Sequence, residues 1–122
     1  MIDRITKAKR NLLIIATVFN ALDLLTSYIG FSEFGLTELN AFATTLHMGN
    51  YLAALLACLT YETIVLLWYL LSLKHPIFTI FLVVFTAGKA MSVIGNALAY
   101  VGIYSINRIF LISQSILSAL NT

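Results

Sequence analysis

Cysteine, proline and charged residues are scarce in this chain of 122 residues. A lone cysteine, Cys58, excludes a disulfide within the chain, and a lone proline, Pro76, leaves long stretches free of helix breakers. Only 10% of the residues are charged, whereas 61% are hydrophobic. A soluble fold of this size cannot bury so much apolar surface, so we expect the lipid bilayer to solvate the chain.

Motifs for soluble chemistry are also missing. The formal net charge of +2 is too small to indicate a nucleic-acid partner. The sequence has no phosphate-binding loop, no Ser-His-Asp set and no haem-ligand pattern. We therefore predict no catalytic residue, no cofactor and no metal site.

Three nearly unbroken apolar runs cover residues 12–31, 51–73 and 77–104. About 20 apolar residues in a helix span the hydrocarbon core of a bilayer, and each run reaches that length. The period-2 alternation of a barrel strand is absent, so the runs are predicted to be helices. The sequence thus predicts an all-α integral membrane helical bundle, with three long transmembrane helices in a single domain over residues 1–122.

The remaining segments predict two shorter helices. Leu39 to Met48 is mostly apolar but too short to span, which favours a re-entrant or interfacial helix. Residues 105–120 mix Ile and Leu with polar side chains and predict a C-terminal helix, with a fourth span over residues 101–120 as the alternative.

Gly88, Gly95 and Gly102 are spaced seven residues apart. This spacing places them along one side of a helix, so we expect the third helix to continue unbroken and to pack closely on a neighbour there.

Basic residues indicate the orientation. Arg4, Lys7, Lys9 and Arg10 precede the first run, and Lys74 and His75 lie between the second and third runs. By the positive-inside tendency both segments are cytoplasmic, which is consistent because two crossings separate them. We expect a multi-pass protein of the cell membrane with a cytoplasmic N-terminus.

Each apolar run contains one ionisable residue near its middle: Asp23, Glu62 and Lys89. Counted from the run starts, all three lie about 16–18 Å deep, near the midplane. A charge there costs about 2.5–3.5 kcal/mol unless it meets a partner, a cavity or another subunit. Lys89 is predicted to pair with Asp23 or Glu62, and the other acid is then either protonated or paired with something outside the chain.

Polar residues at helical spacing accompany these charges. Asn20, Asp23 and Ser27, with Thr26 beside them, form a stripe on the first helix, and Thr86, Lys89, Ser92 and Asn96 form one on the third. The predicted intramembrane polar cluster comprises Asn20, Asp23, Thr26, Glu62, Lys89 and Asn96. It serves either as a structural ion pair that fixes helix register or as a proton or cation path.

On the outer side, Glu33, Glu38 and His47 are candidates for a metal site, and Glu38 and His47 are candidates for catalysis on a lipid or small hydrophobic molecule. Carboxylate and imidazole groups suit such roles, but no metal-ligand spacing is present. An ordinary surface histidine is the simpler interpretation of His47.

The pattern Asn20-x-x-Asp23-x-x-Thr26, followed by Gly35 and Glu38-x-Asn40, resembles a small prokaryotic membrane-protein family of unknown function. Members carry Asn, Asp and Thr on the first span and Gly with Glu-x-Asn-Pro in the next connection, and Asn96 is a further matching position. Ala41 replaces the family's usual proline. The resemblance implies a compact helical hairpin with polar residues meeting inside, and it assigns no activity.

We predict a non-catalytic accessory subunit of a larger membrane complex, for example an oxidase, a monooxygenase or a respiratory assembly. Three helices form a poor core alone, and the glycine spacing and the uncompensated acid both call for neighbouring membrane subunits. The alternative is a small homo-oligomeric transporter or ion-conducting protein that uses the midplane charges. A membrane enzyme using Glu38 and His47 ranks last.

Overall fold

A computed structural model of the chain describes residues 2–37, 49–102 and 105–120, and these residues form helices and turns without a strand. The helices are α1 (Ile2–Glu33), α2 (Asn50–Lys74), α3 (Phe78–Tyr100) and α4 (Ser105–Leu120). Within α1, α2 and α3, the stretches Arg4–Glu33, Asn50–Lys74 and Phe78–Tyr100 are each long and apolar enough to cross a membrane. The predicted all-helical membrane fold with three long helices is confirmed.

Helix α1 begins ten residues before the apolar run, at Ile2 instead of residue 12. No glycine or proline occurs between Ile2 and Ile29, so nothing in the basic segment interrupts the backbone hydrogen bonds. The 32 residues of α1 extend for about 48 Å and exceed the thickness of the hydrocarbon core.

Helices α1 and α2 are antiparallel, and α3 returns parallel to α1. Lys9 Nζ donates to the carbonyl of Ser72 at 2.7 Å near one end, and Tyr28 OH donates to the carbonyl of Tyr51 at 3.1 Å near the other. Between α2 and α3, His75 is extended, as expected of a residue before proline. The Phe78 N–H then bonds to the His75 carbonyl at 3.1 Å, and this turn starts α3.

The predicted continuation of the third helix to residue 104 is wrong, because α3 ends at Tyr100. Gly102 has a φ of +84°, in the left-handed region that glycine adopts without a Cβ penalty. Its N–H bonds to the Ala99 carbonyl at 3.1 Å, which closes the last turn of the helix. Gly102 therefore stops the helix, although its spacing resembled a packing position.

The other two glycines of that series differ in their surroundings within the chain. A Cβ built on Gly88 would meet no atom within 4 Å in the described part of the chain, so Gly88 does not mark a close helix contact there. Gly95 is buried. Of the three glycines, only Gly95 is buried in the described part of the bundle, so packing of all three against a neighbouring helix stays a prediction that concerns another protein.

A small apolar core occupies the half of the bundle nearer the N-terminal end of α1. Ala16, Val65 and Leu82, one from each long helix, are fully buried. The lone tryptophan, Trp68, packs against this core and stacks on Phe81 with ring centroids 4.7 Å apart. This core fixes the rotation of the three helices and thereby directs their polar stripes toward one another.

Helix α4 has 16 residues and reaches only about 24 Å, which is less than the thickness of the hydrocarbon core. It packs mainly against α3. The turn at Gly102 separates the two helices, so the alternative of a continuous fourth span over residues 101–120 is not realised. The predicted re-entrant or interfacial helix at Leu39 to Met48 lies outside the described residues.

Candidate functional site

The mid-span acid of α1, Asp23, and the mid-span base of α3, Lys89, form an ion pair in the middle of the bundle. Lys89 Nζ lies 2.8 Å from Asp23 Oδ2, and the two side chains are 11% and 21% exposed. The ammonium group also lies 4.4 Å from the ring centroid of Tyr61 on α2, which is cation–π distance. Lys89 therefore pairs with Asp23 and not with Glu62, and its ammonium group contacts residues of both other long helices.

Asn96 completes the surroundings of Asp23. Its Nδ2 donates to Asp23 Oδ1 at 2.8 Å and lies 2.9 Å from Thr26 Oγ1. One turn further along, Tyr100 OH donates to the Thr26 carbonyl. The Asp23 carboxylate thus receives a charged donor and a neutral donor from α3, and its charge is compensated inside the chain.

Glu62 occupies a separate place, about one helical turn away between α1 and α2. Its Oε1 accepts a hydrogen bond from Thr17 Oγ1 at 2.6 Å, and its Oε2 accepts one from Asn20 Nδ2 at 3.1 Å. Within the described ranges, no Lys, Arg or His lies within 4 Å of this carboxylate. Glu62 is half-buried and Thr17 is exposed, so this acid lies at the surface of the bundle.

Asn20 connects Glu62 to the interior. The residue is 3% exposed, and Nδ2 donates both to Glu62 and to the Cys58 carbonyl at 2.9 Å. Two acceptors on one side fix the orientation of the amide, because the reversed amide would place an oxygen against two oxygens. Asn20 Oδ1 then has no hydrogen-bond partner among the described residues.

The structure brings the six residues of the predicted polar cluster into two neighbouring groups. Asp23, Thr26, Lys89 and Asn96 form one group, and Asn20 and Glu62 belong to the other. The outer-side candidates Glu38 and His47 lie outside the described residues. Among the residues that are described, no three His, Cys, Asp or Glu side chains cluster as metal ligands.

Sequence reasoning missed three contributors to these groups: Thr17, Tyr61 and Tyr100. Thr17 lies three residues before Asn20, so the polar stripe of α1 begins one turn earlier than predicted. Tyr61 and Tyr100 carry no sequence signal for this role, because tyrosines in membrane helices also serve as interfacial residues. Their hydrogen bonds to Phe85 and Thr26 carbonyls depend on how the helices pack.

Comparison of the chain with protein-family models, with curated proteins and with solved structures finds no match. The resemblance to a small prokaryotic membrane-protein family stays a prediction. The two polar groups are therefore the features of this chain that indicate a function.

Proposed function

We propose that this chain is a small, non-catalytic, multi-pass subunit of the cell membrane that assembles with other membrane proteins. One observation carries the proposal. The Asp23 carboxylate is compensated inside the bundle by Lys89, whereas the Glu62 carboxylate lies at its surface without a cation among the described residues.

The Asp23 group suits a structural role. Lys89 and Asn96 reach Asp23 across the α1–α3 contact at 2.8 Å each, so these residues fix the rotation and height of the two helices. Buried polar pairs of this kind serve register and specificity in several other proteins. The Asp23 carboxylate finds its hydrogen-bond donors within the bundle, so it does not require a substrate as a partner.

The proposed orientation, with a cytoplasmic N-terminus, is supported by the contact of Lys9 with the Ser72 carbonyl. This hydrogen bond brings the basic start of α1 beside Lys74 and His75 at the end of α2. Both basic segments thus lie at the same end of the bundle, as the positive-inside tendency requires.

Ion conduction by a homo-oligomer is the second candidate, and the unpartnered Asn20 Oδ1 favours it. This buried oxygen lies on the amide that contacts Glu62, and carboxylate, hydroxyl and amide oxygens are ligands for small cations. In this alternative, Glu62 binds and releases a proton or a cation along a path through the oligomer.

Extraction from native membranes in mild detergent, followed by a native gel and mass spectrometry, distinguishes the two candidates. We expect a discrete complex of fixed stoichiometry that contains other membrane proteins. A free monomer would refute the subunit role. A homo-oligomer that conducts ions in liposomes, and loses conduction in Glu62→Gln while its assembly stays intact, would establish the alternative.

A further inference from the structure

The Glu62 carboxylate uses only half of its hydrogen-bonding capacity. An ionised carboxylate offers about four lone-pair sites. Two of them accept from Thr17 and Asn20, and both of these donors are neutral. Asp23, by contrast, accepts from the ammonium group of Lys89. Glu62 therefore has room for a charged donor that approaches from outside the bundle.

An apolar surface surrounds Glu62 on α2. Leu59 and Leu66 lie three and four residues from Glu62 on the same side of the helix, and they are 57% and 43% exposed. Leu55 and Leu70 extend this stripe by one turn in each direction, at 36% and 57% exposed. The leucine stripe, as we call these four leucines, thus borders a single carboxylate at mid-span.

We propose that a membrane-spanning helix of a partner protein lies on the leucine stripe and places a lysine or arginine against Glu62. This inference rests on the proposed subunit role and specifies the chemistry of the partner. A basic side chain at that depth has a free-energy cost in lipid similar to that of Glu62, so pairing the two lowers the cost of both charges. Thr17, which is exposed beside the carboxylate, offers the incoming donor a further acceptor.

A second copy of this chain fits the surface poorly. Lys89 is the basic residue of the three apolar runs, and it is already bound to Asp23. Two copies packed through their leucine stripes would therefore bring Glu62 against Glu62, which is repulsive unless the carboxyl groups share a proton. Charge complementarity favours a different protein with a basic residue in its span.

Site-specific photo-crosslinking in native membranes tests the proposal. A photoreactive residue at Leu66 is compared with one at Val83, which is similarly exposed, at 48%, but lies on α3. We expect an adduct from position 66 and not from position 83, and we expect the captured helix to carry a lysine or arginine opposite Glu62.

The charge requirement is then measured with the identified partner. Glu62→Gln, and replacement of the partner's basic residue by Gln, should each weaken the complex at least about tenfold, which corresponds to about 1.4 kcal/mol. Glu62→Lys combined with an acidic residue in the partner should restore binding. The partner variant keeps the test valid even if Glu62→Gln folds poorly.

A hydrophobic carbodiimide provides an independent readout, because it modifies protonated carboxyl groups that face lipid. In the intact complex we expect Glu62 to resist modification. Labelling of Glu62 there, a partner helix without a basic residue, or a dimer of this chain crosslinked through position 66 would overturn the inference. A complex that forms equally well with Glu62→Gln would overturn it too, while leaving the subunit role intact.

Discussion

Replacing Asp23 and Lys89, singly and together, tests whether their ion pair is structural. In Asp23→Leu the ammonium group stays buried with only the Tyr61 ring, and in Lys89→Met the carboxylate keeps only Asn96. Removal of one partner from a buried pair costs about 3–5 kcal/mol. Both side chains are partly exposed, so we expect each single variant to lower the free energy of unfolding by about 2–4 kcal/mol.

The double variant should behave quite differently. With both charges gone, two apolar side chains fill the same volume and no desolvation cost remains. We expect its free energy of unfolding to lie within about 1 kcal/mol of the unmodified chain, because apolar replacement of a buried pair is often neutral or better. The double-mutant cycle then gives a large coupling energy between positions 23 and 89.

Trp68 provides the assay, since it is the lone tryptophan of the chain. It stacks on Phe78 and Phe81 across the α2–α3 contact, so its fluorescence reports separation of these helices during titration with a denaturing detergent. Circular dichroism checks that the variants keep their helices. If the double variant loses as much stability as both single variants combined, the two residues act independently and a structural ion pair is refuted.

Two further pairs of matched variants, measured by the same titration, test the end of α3 and the contact between Lys9 and α2. Gly102→Ala should lower the free energy of unfolding by about 1 kcal/mol, because φ at this position is +84°. Gly88→Ala should leave the free energy of unfolding equal or higher, because Gly88 lies within a helix and a Cβ there meets open space. An equal loss in both variants would contradict the role of Gly102 in ending the helix. Lys9→Met should lower the free energy of unfolding by about 1 kcal/mol, because it removes the hydrogen bond to the Ser72 carbonyl. Lys7 is exposed, so Lys7→Met should have little effect. Identical behaviour of the two variants would count against the Lys9 contact.

Much of the fold follows from the sequence, because helix rise and bilayer thickness are fixed lengths. Counting residues placed Asp23 and Lys89 at one depth, and the structure joins them at 2.8 Å. The choice of Asp23 over Glu62 was not predictable, since it depends on the rotation of α2. That rotation is set by side-chain packing around Val65, which no periodic pattern specifies.

The role of Gly102 shows a second limit of sequence reasoning. A glycine seven residues after another is compatible with a packed helix face and with a helix end, since the lack of a Cβ permits both. The hydrogen bond from the Gly102 N–H to the Ala99 carbonyl shows that Gly102 is at a helix end, and composition alone does not reveal this. Likewise, Thr17 looks like one threonine among apolar residues until α2 places a carboxylate beside it.

The long sequence separation within the ion pair affects how the chain is made. Asp23 and Lys89 are 66 residues apart, and ribosomes add about 5–20 residues per second. For roughly 3–13 s during synthesis, the acid of the first helix therefore exists without its base. Until the third helix emerges, the nascent first helix must therefore keep this acid beside the insertion machinery or another polar partner.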